Sequence, residues 1–390
     1  MQIVRDSSDF WKSPLARPLS TSQIDTTEKE LLAYFKDVVV PILFMRQRLD
    51  KVSEAVLPLC FQYKQVRYPI LGIAAAHRAG RDPGYFLDYM CYKDKAQKSA
   101  EMALRSQTEE SMLSLLMMVY LEVLDGLSTN WGYYLENVFQ RMNNNSENTL
   151  SSGMLAFIKQ TFYYLDFVSS LSTCNPPFAA RNKTNPHDQY VPESTPVRLG
   201  LCGELGSILG DISTLSSMRN LRSQHFILED QFNSFAEFIE LRLNRLTLPT
   251  ESTPRPEGIC EGEHLNFILT WKWAALMRLH QIQQGYDKKH PRVQECLANL
   301  LCSLRAIAEG SPLECGLVFP LIMAGAAASS TQNQDYIVHR VRCLKSQLGF
   351  GYVDQVDKLL QTIWEREEKT KKPVNWASVR YYEFSGIVMI

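Results

Sequence analysis

Apolar residues along this chain recur three and four positions apart over long stretches, and no segment alternates strictly between apolar and polar. The pattern therefore predicts helix after helix. Thr27-x-x-Glu30 is a capping box ahead of Leu31, Leu32 and Phe35, so a helix starts there, and Pro41 is expected to bend or end it. A second helix carries Val52, Val56, Leu57, Leu59 and Cys60, and a third covers Ile70 to His77 and stops at Gly80. Asp82-Pro83 forms an N-cap and first-turn pair for a long helix with Tyr85, Phe86, Tyr89, Met90 and Ala96 on one stripe. Thr108 caps the run Met112 to Leu124, Asp125-Gly126 breaks it, and Trp131 begins the next helix, through Met142. After a polar loop comes a helix from Met154 to Phe167.

Two stretches interrupt the rhythm. Cys174 to Pro196 holds five prolines and reads as a surface loop, with a hinge over 174–197. Thr247 to Gly262 is a second Pro-rich loop. Helical patterns occupy Ile208–Leu221, Phe226–Leu246, Leu265–Ile282, Pro291–Ala308, Leu317–Ala328, Tyr336–Leu348 and Val353–Trp364. The fold class expected is all-α: a multi-helix bundle or array of helical hairpins, one large body with two Pro-rich surface loops. A polar leader (1–25) precedes a helical domain (26–390), and the apolar end, Gly386 to Ile390, is suited to covering a groove.

One stretch stands apart. Val318 to Ala328 packs small residues into an apolar run, and small side chains let helix backbones approach closely. Composition narrows the remainder. With 45% hydrophobic and 21% charged residues the chain is of globular type. A net charge of −1 without a basic stripe argues against direct nucleic-acid binding. Lys369 to Lys372 follows Glu365-Arg366-Glu367-Glu368, so that cluster nearly cancels and reads as a solvated helix end. No run reaches the roughly 18 apolar residues of a membrane span, and Met1 to Ser13 has no secretory pattern. The nine cysteines are scattered and fit free, buried thiols of a reducing compartment, cytoplasmic or nuclear.

Candidate chemistry is sparse. No C-x-x-C pair exists, and Cys260-Glu261-Gly262-Glu263-His264 lacks partners elsewhere, so neither a metal nor a cofactor is expected. Gly200-x-x-Gly203-x-x-Gly206-x-x-x-Gly210 lacks the Lys-Ser/Thr of a phosphate loop and reads as a bald helix face. His77 follows three alanines and reads as a core histidine, while His280 and His339 read as half-exposed. If the chain is catalytic, Asp125, Asp166, His77 and Tyr163 are the acid–base candidates. Trp131, Phe162, Tyr164, Trp271, Trp273 and Phe319 are the candidates for lining an apolar ligand pocket, with core packing as the competing reading.

Several pieces, in order, resemble one family. They are Glu30 to Phe35, Val56-Leu57-Pro58-Leu59, Pro69 to His77, and Met118 to Gly126 with Trp131 just after. Phe162 to Ser169 follows, then Val318 to Gly325, Leu348-Gly349-Phe350-Gly351, Trp364 and Trp376. This series is similar to the fungal-specific transcription factor domain, the helical regulatory region found downstream of the zinc binuclear cluster in fungal regulators. The six-cysteine pattern of that cluster is absent, and Arg46 to Lys51 replaces the family's Asn-Pro-Phe-Arg type of stretch.

The resemblance implies a regulatory domain that senses a small apolar ligand or a transcriptional partner protein, without its own contact to DNA or membrane. A homodimer is a further option. The alternative is a recruited biosynthetic enzyme, a cofactor-independent isomerase, cyclase or dehydratase acting on an apolar metabolite in an aromatic-lined pocket.

Overall fold

The helices expected from the apolar periodicity are present, and several start at identifiable caps, although the first is capped by Asp25, which accepts from the Glu28 amide, and not by Thr27. The computed structural model describes residues 24–44, 56–144, 153–181, 203–223, 228–248 and 258–388. Among these, the elements are α1 (Thr26–Tyr34), a π-helical turn (Phe35–Val39), α2 (Val40–Phe44), α3 (Leu57–Gln62), α4 (Lys64–Arg81), α5 (Phe86–Leu104), α6 (Glu109–Asp125) and α7 (Trp131–Asn144). They continue with α8 (Gly153–Thr173), α9 (Gly203–Ser223), α10 (Glu229–Arg245), α11 (Glu261–Gln284), α12 (Pro291–Arg305), α13 (Val318–Ala327), α14 (Thr331–Leu348), α15 (Tyr352–Thr370) and α16 (Trp376–Glu383). No strand occurs among the described residues, so the fold is all-α.

Thr108 accepts a hydrogen bond from the Ser111 amide at the start of α6, and Gly126 closes that helix at φ 73°, as the Asp125-Gly126 break predicts. A side chain at Gly126 would be strained by that φ and would meet Tyr352 Cα at 2.6 Å. The glycine thus lets the end of α6 dock on the start of α15.

The small-residue run forms α13, in which every residue is buried. It packs on α11, α12, α14 and α15. A Cβ at Gly325 would meet Leu360 Cδ2 at 2.5 Å. The Gly325 carbonyl accepts a hydrogen bond from Trp364 Nε1 at 2.9 Å. The interval between the run and the tryptophan is therefore set by contact between α13 and α15.

Several expectations need correction. Pro41 does not end the first helix. The π-helical turn lies directly before it, with the Val40 amide bonded to the Phe35 carbonyl, and this wider turn leaves room where a proline ring crowds the preceding carbonyls. The third helix starts before Ile70, at Lys64 with Pro69 inside it, and ends at Arg81, next to the expected stop at Gly80. On α5 the buried stripe is Tyr89, Tyr92, Ala96, Ala100 and Ala103, whereas Phe86 and Met90 are exposed. Not all thiols are buried: Cys60 and Cys296 are, but Cys91, Cys260 and Cys302 are exposed. His280 is buried and His339 exposed rather than both half-exposed.

α16 was not foreseen; Asn375 caps it by accepting from the Ser378 amide. Residues 1–23 of the leader and most of both Pro-rich loops lie outside the described residues, as do Val52, Gly200 and Arg46 to Lys51. The start of the first loop is ordered, with a 3-10 turn at Phe178–Ala180. Near the other end of the chain Ile387 and Val388 are buried. No helix among the described residues is long and apolar enough to cross a membrane.

Candidate functional site

The acid–base candidates occupy three separate places, each with its own partners. Asp125, at the end of α6, forms an ion pair with Lys93 at 2.5 Å, and Lys93 also donates to the Tyr89 hydroxyl at 3.1 Å. Burial, followed by the Asp125 charge, pushes the Tyr89 phenol up to about 12. Asp166 on α8 is fully buried and accepts from the Phe178 and Ala179 amides at 2.8 and 3.0 Å. It fastens the 3-10 turn to α8, which is capping work. Tyr163, on the same helix, has its phenol raised by burial and then by Asp166.

His77 is fully buried on α4. The Tyr34 hydroxyl lies 2.7 Å from its Nδ1, and Phe350 packs edge-on at 4.9 Å. The ring is held neutral: burial first, then the Arg81 charge, lower its pKa to about 4, with the Leu348 backbone acting slightly the other way.

The aromatic candidates divide into groups. Trp271 stacks on Phe319 at 5.4 Å, Phe167 approaches Trp271 at 6.5 Å, and Tyr164 lies at 5.4 Å from Phe167. These rings are interleaved core. Phe162 lies elsewhere, stacked on Phe139 at 5.8 Å. Phe139 and Phe178 border an open groove of about 510 Å³, together with Glu136, Gln140 and Arg181. Trp131 is buried on α7, and Trp273 is half-buried.

A different feature stands out against this apolar background. Arg278, on α11, is 2% exposed. It donates to the Tyr286 hydroxyl (2.9 Å), Ser216 Oγ (3.0 Å) and Cys174 Sγ (3.0 Å). Its guanidinium lies 4.8 Å from the Trp376 ring. Arg219 on α9 donates to the Gln281 carbonyl at 2.9 Å and lies 5.6 Å from the Tyr286 ring. Arg380 on α16, also 2% exposed, donates to the backbone carbonyls of Ser385 and Ile387. Burial pulls its pKa down to about 10, so it remains charged at neutral pH, and the Cys174 sulfur acts in the opposite sense.

Three guanidinium groups therefore gather where α9, α11, α16 and the end of α8 meet, and none has a carboxylate partner among the described residues. A buried cation without an acid is costly, because neutral acceptors replace only part of its hydration. Two helical turns earlier on α11, buried Trp271 Nε1 has no hydrogen-bond acceptor. The arrangement offers donors and positive potential in a low-dielectric setting, which suits a carboxylate or another oxyanion. Sequence reasoning passed over Arg278, although an arginine within a helix apolar on several sides is a signal that could have been read.

The profile of the fungal specific transcription factor domain matches residues 30–383. No curated protein and no solved structure matches the chain.

Proposed function

The chain belongs to the fungal specific transcription factor domain family, and we propose that it is the effector-sensing domain of a transcriptional regulator, responding to a small molecule with an apolar body and an acidic group. Family membership supports the regulatory role. The observation that carries the sensing function is the set formed by the buried guanidiniums of Arg278 and Arg380 and the half-buried one of Arg219, with neutral partners only. An acid bound there would neutralise charge that the fold leaves uncompensated. It would act as a switch by binding one arrangement of α9, α11 and α16 better than another. The site of action that goes with this role is the nucleus. The dispersed acid–base candidates, each engaged with local partners, give the enzymatic alternative no comparable support.

The test is thermal unfolding against a panel of aliphatic and aromatic carboxylates, each paired with its amide. A cognate acid at a hundredfold excess over its Kd should add about 2.7 kcal/mol of stability. Its amide should add much less, and Arg278→Met should abolish the response. If no acid stabilised the wild type, or if Arg278→Met responded equally, acid sensing at this cluster would be wrong. Stabilisation by a co-purifying protein alone would instead favour a partner-sensing domain.

A further inference from the structure

Glu309, His339 and Cys343 bring three different donor types together, and none of them is a partner of the arginine cluster. His339 and Cys343 are four residues apart on α14, so they project from the same face one turn apart. Glu309 sits in the turn that follows α12, just before Gly310 at φ 86°. Its Oε1 lies 2.9 Å from His339 Nε2, and its Oε2 lies 3.7 Å from Cys343 Sγ. Cys343 Sγ is 3.7 Å from His339 Nε2. One donor atom from each residue can be chosen so that all lie within 4.8 Å of one another.

Those separations can be compared with what a metal requires. Zinc binds thiolate sulfur at about 2.3 Å and imidazole nitrogen or carboxylate oxygen at about 2.0–2.2 Å. In a tetrahedron this places a nitrogen and an oxygen about 3.4 Å apart, and sulfur about 3.6 Å from either. The edge between Cys343 and His339 is already close to that spacing. Glu309 now turns Oε1 to His339 and Oε2 to Cys343, so its carboxylate must rotate to present one oxygen to the ion, and the Glu309 and His339 side chains are more than half exposed and free to adjust.

We propose that Glu309, His339 and Cys343 form a three-donor site for a zinc-class thiophilic divalent cation. Metal binding would release the Cys343 thiol proton and convert the sulfur to thiolate. Three protein donors leave a fourth position for water, a small ligand or a donor from another molecule. The ion would tie the turn after α12 to α14. The Gly310 amide in that turn donates to Glu314, whose carboxylate holds buried Arg340, so occupancy would firm up the contact between these elements. Neither half of the site has a C-x-x-C or H-E-x-x-H signature. The sequence signal is the bare His-x-x-x-Cys spacing, and the third donor comes from 30 positions upstream of the histidine.

The experiment uses the full chain, titrated with Zn(II) against a chromophoric chelator and separately with Co(II), followed by absorption. One equivalent should bind, and the cobalt form should show thiolate-to-metal charge transfer. Cys343→Ser should remove the charge-transfer band, and His339→Ala should weaken zinc binding by more than about tenfold. Cys302→Ser, at an exposed thiol elsewhere, should change neither. All three positions replaced are on the surface or half-buried, and circular dichroism verifies that each variant folds. Failure to bind one equivalent would overturn the site. So would binding that survives Cys343→Ser or is lost in Cys302→Ser, since scattered surface thiols would then be responsible.

Discussion

Two arginines in this molecule are equally buried and differently treated. Arg340 and Arg278 are each 2% exposed. Arg340 meets the Glu314 carboxylate at 2.8 Å and also donates to the carbonyls of Leu304 and Ile307. That combination is a staple: it joins the end of α12, the 3-10 turn Pro312–Gly316 and α14. Arg278 meets a phenol, a hydroxyl and a thiol. The difference separates a charge that the fold has neutralised from one that it has left available. The first belongs to architecture, and the second is where binding can still lower the free energy.

The sharpest way to break this comparison is to remove one partner from each cluster. Glu314→Ala strands Arg340 in the core, and equilibrium denaturation should register a loss of about 3–5 kcal/mol. A loss near zero would mean that the staple is already relaxed by water.

A buried basic group can also be handled in a third way, by staying neutral, and pH tests it. His77 titrates near 4 in the folded chain against an ordinary value of 6.5. Its folded-state pKa is depressed, so the unfolded chain takes up the proton first as pH falls. Stability should therefore decline as pH drops from about 6.5 towards 4 and level off below, by a total of about 3 kcal/mol from this group. His77→Gln should flatten that part of the pH–stability profile. An unchanged profile would place the titration elsewhere.

The smallest expected effect completes the comparison. Arg278→Met replaces an uncompensated cation with an apolar chain of similar reach, and should cost less than about 1.5 kcal/mol or even stabilise. A loss as large as that of Glu314→Ala would make Arg278 a structural staple too, and the distinction between the two clusters would collapse.

What the sequence revealed follows the range of the forces involved. Helix positions come from apolar spacing and caps, which are local, so Thr108, Asp125-Gly126 and Trp131 are legible as boundaries. Pro41 does not end its helix and Pro69 does not delay the start of α4, because tertiary packing can carry a helix past a residue that would break it in isolation. The α5 stripe shifted because three neighbouring aromatics do not show which of them faces inward. The arginine cluster was hidden for a different reason: Cys174, Ser216, Arg278 and Arg380 are far apart in the chain and meet only when four elements converge. Glu309 is likewise separated from the His339-x-x-x-Cys343 pair, and a three-donor geometry cannot be read from a two-residue spacing.

Trp376 gives the cluster an optical dimension. Its ring is fully buried, its Nε1 donates to Gln281 Oε1 at 2.9 Å, and it faces the Arg278 guanidinium at 4.8 Å. Excitation of an indole moves electron density from its five-membered towards its six-membered ring, so a fixed charge beside it shifts the colour of its emission. The residue that helps to close the core is therefore a built-in voltmeter for the arginine beside it.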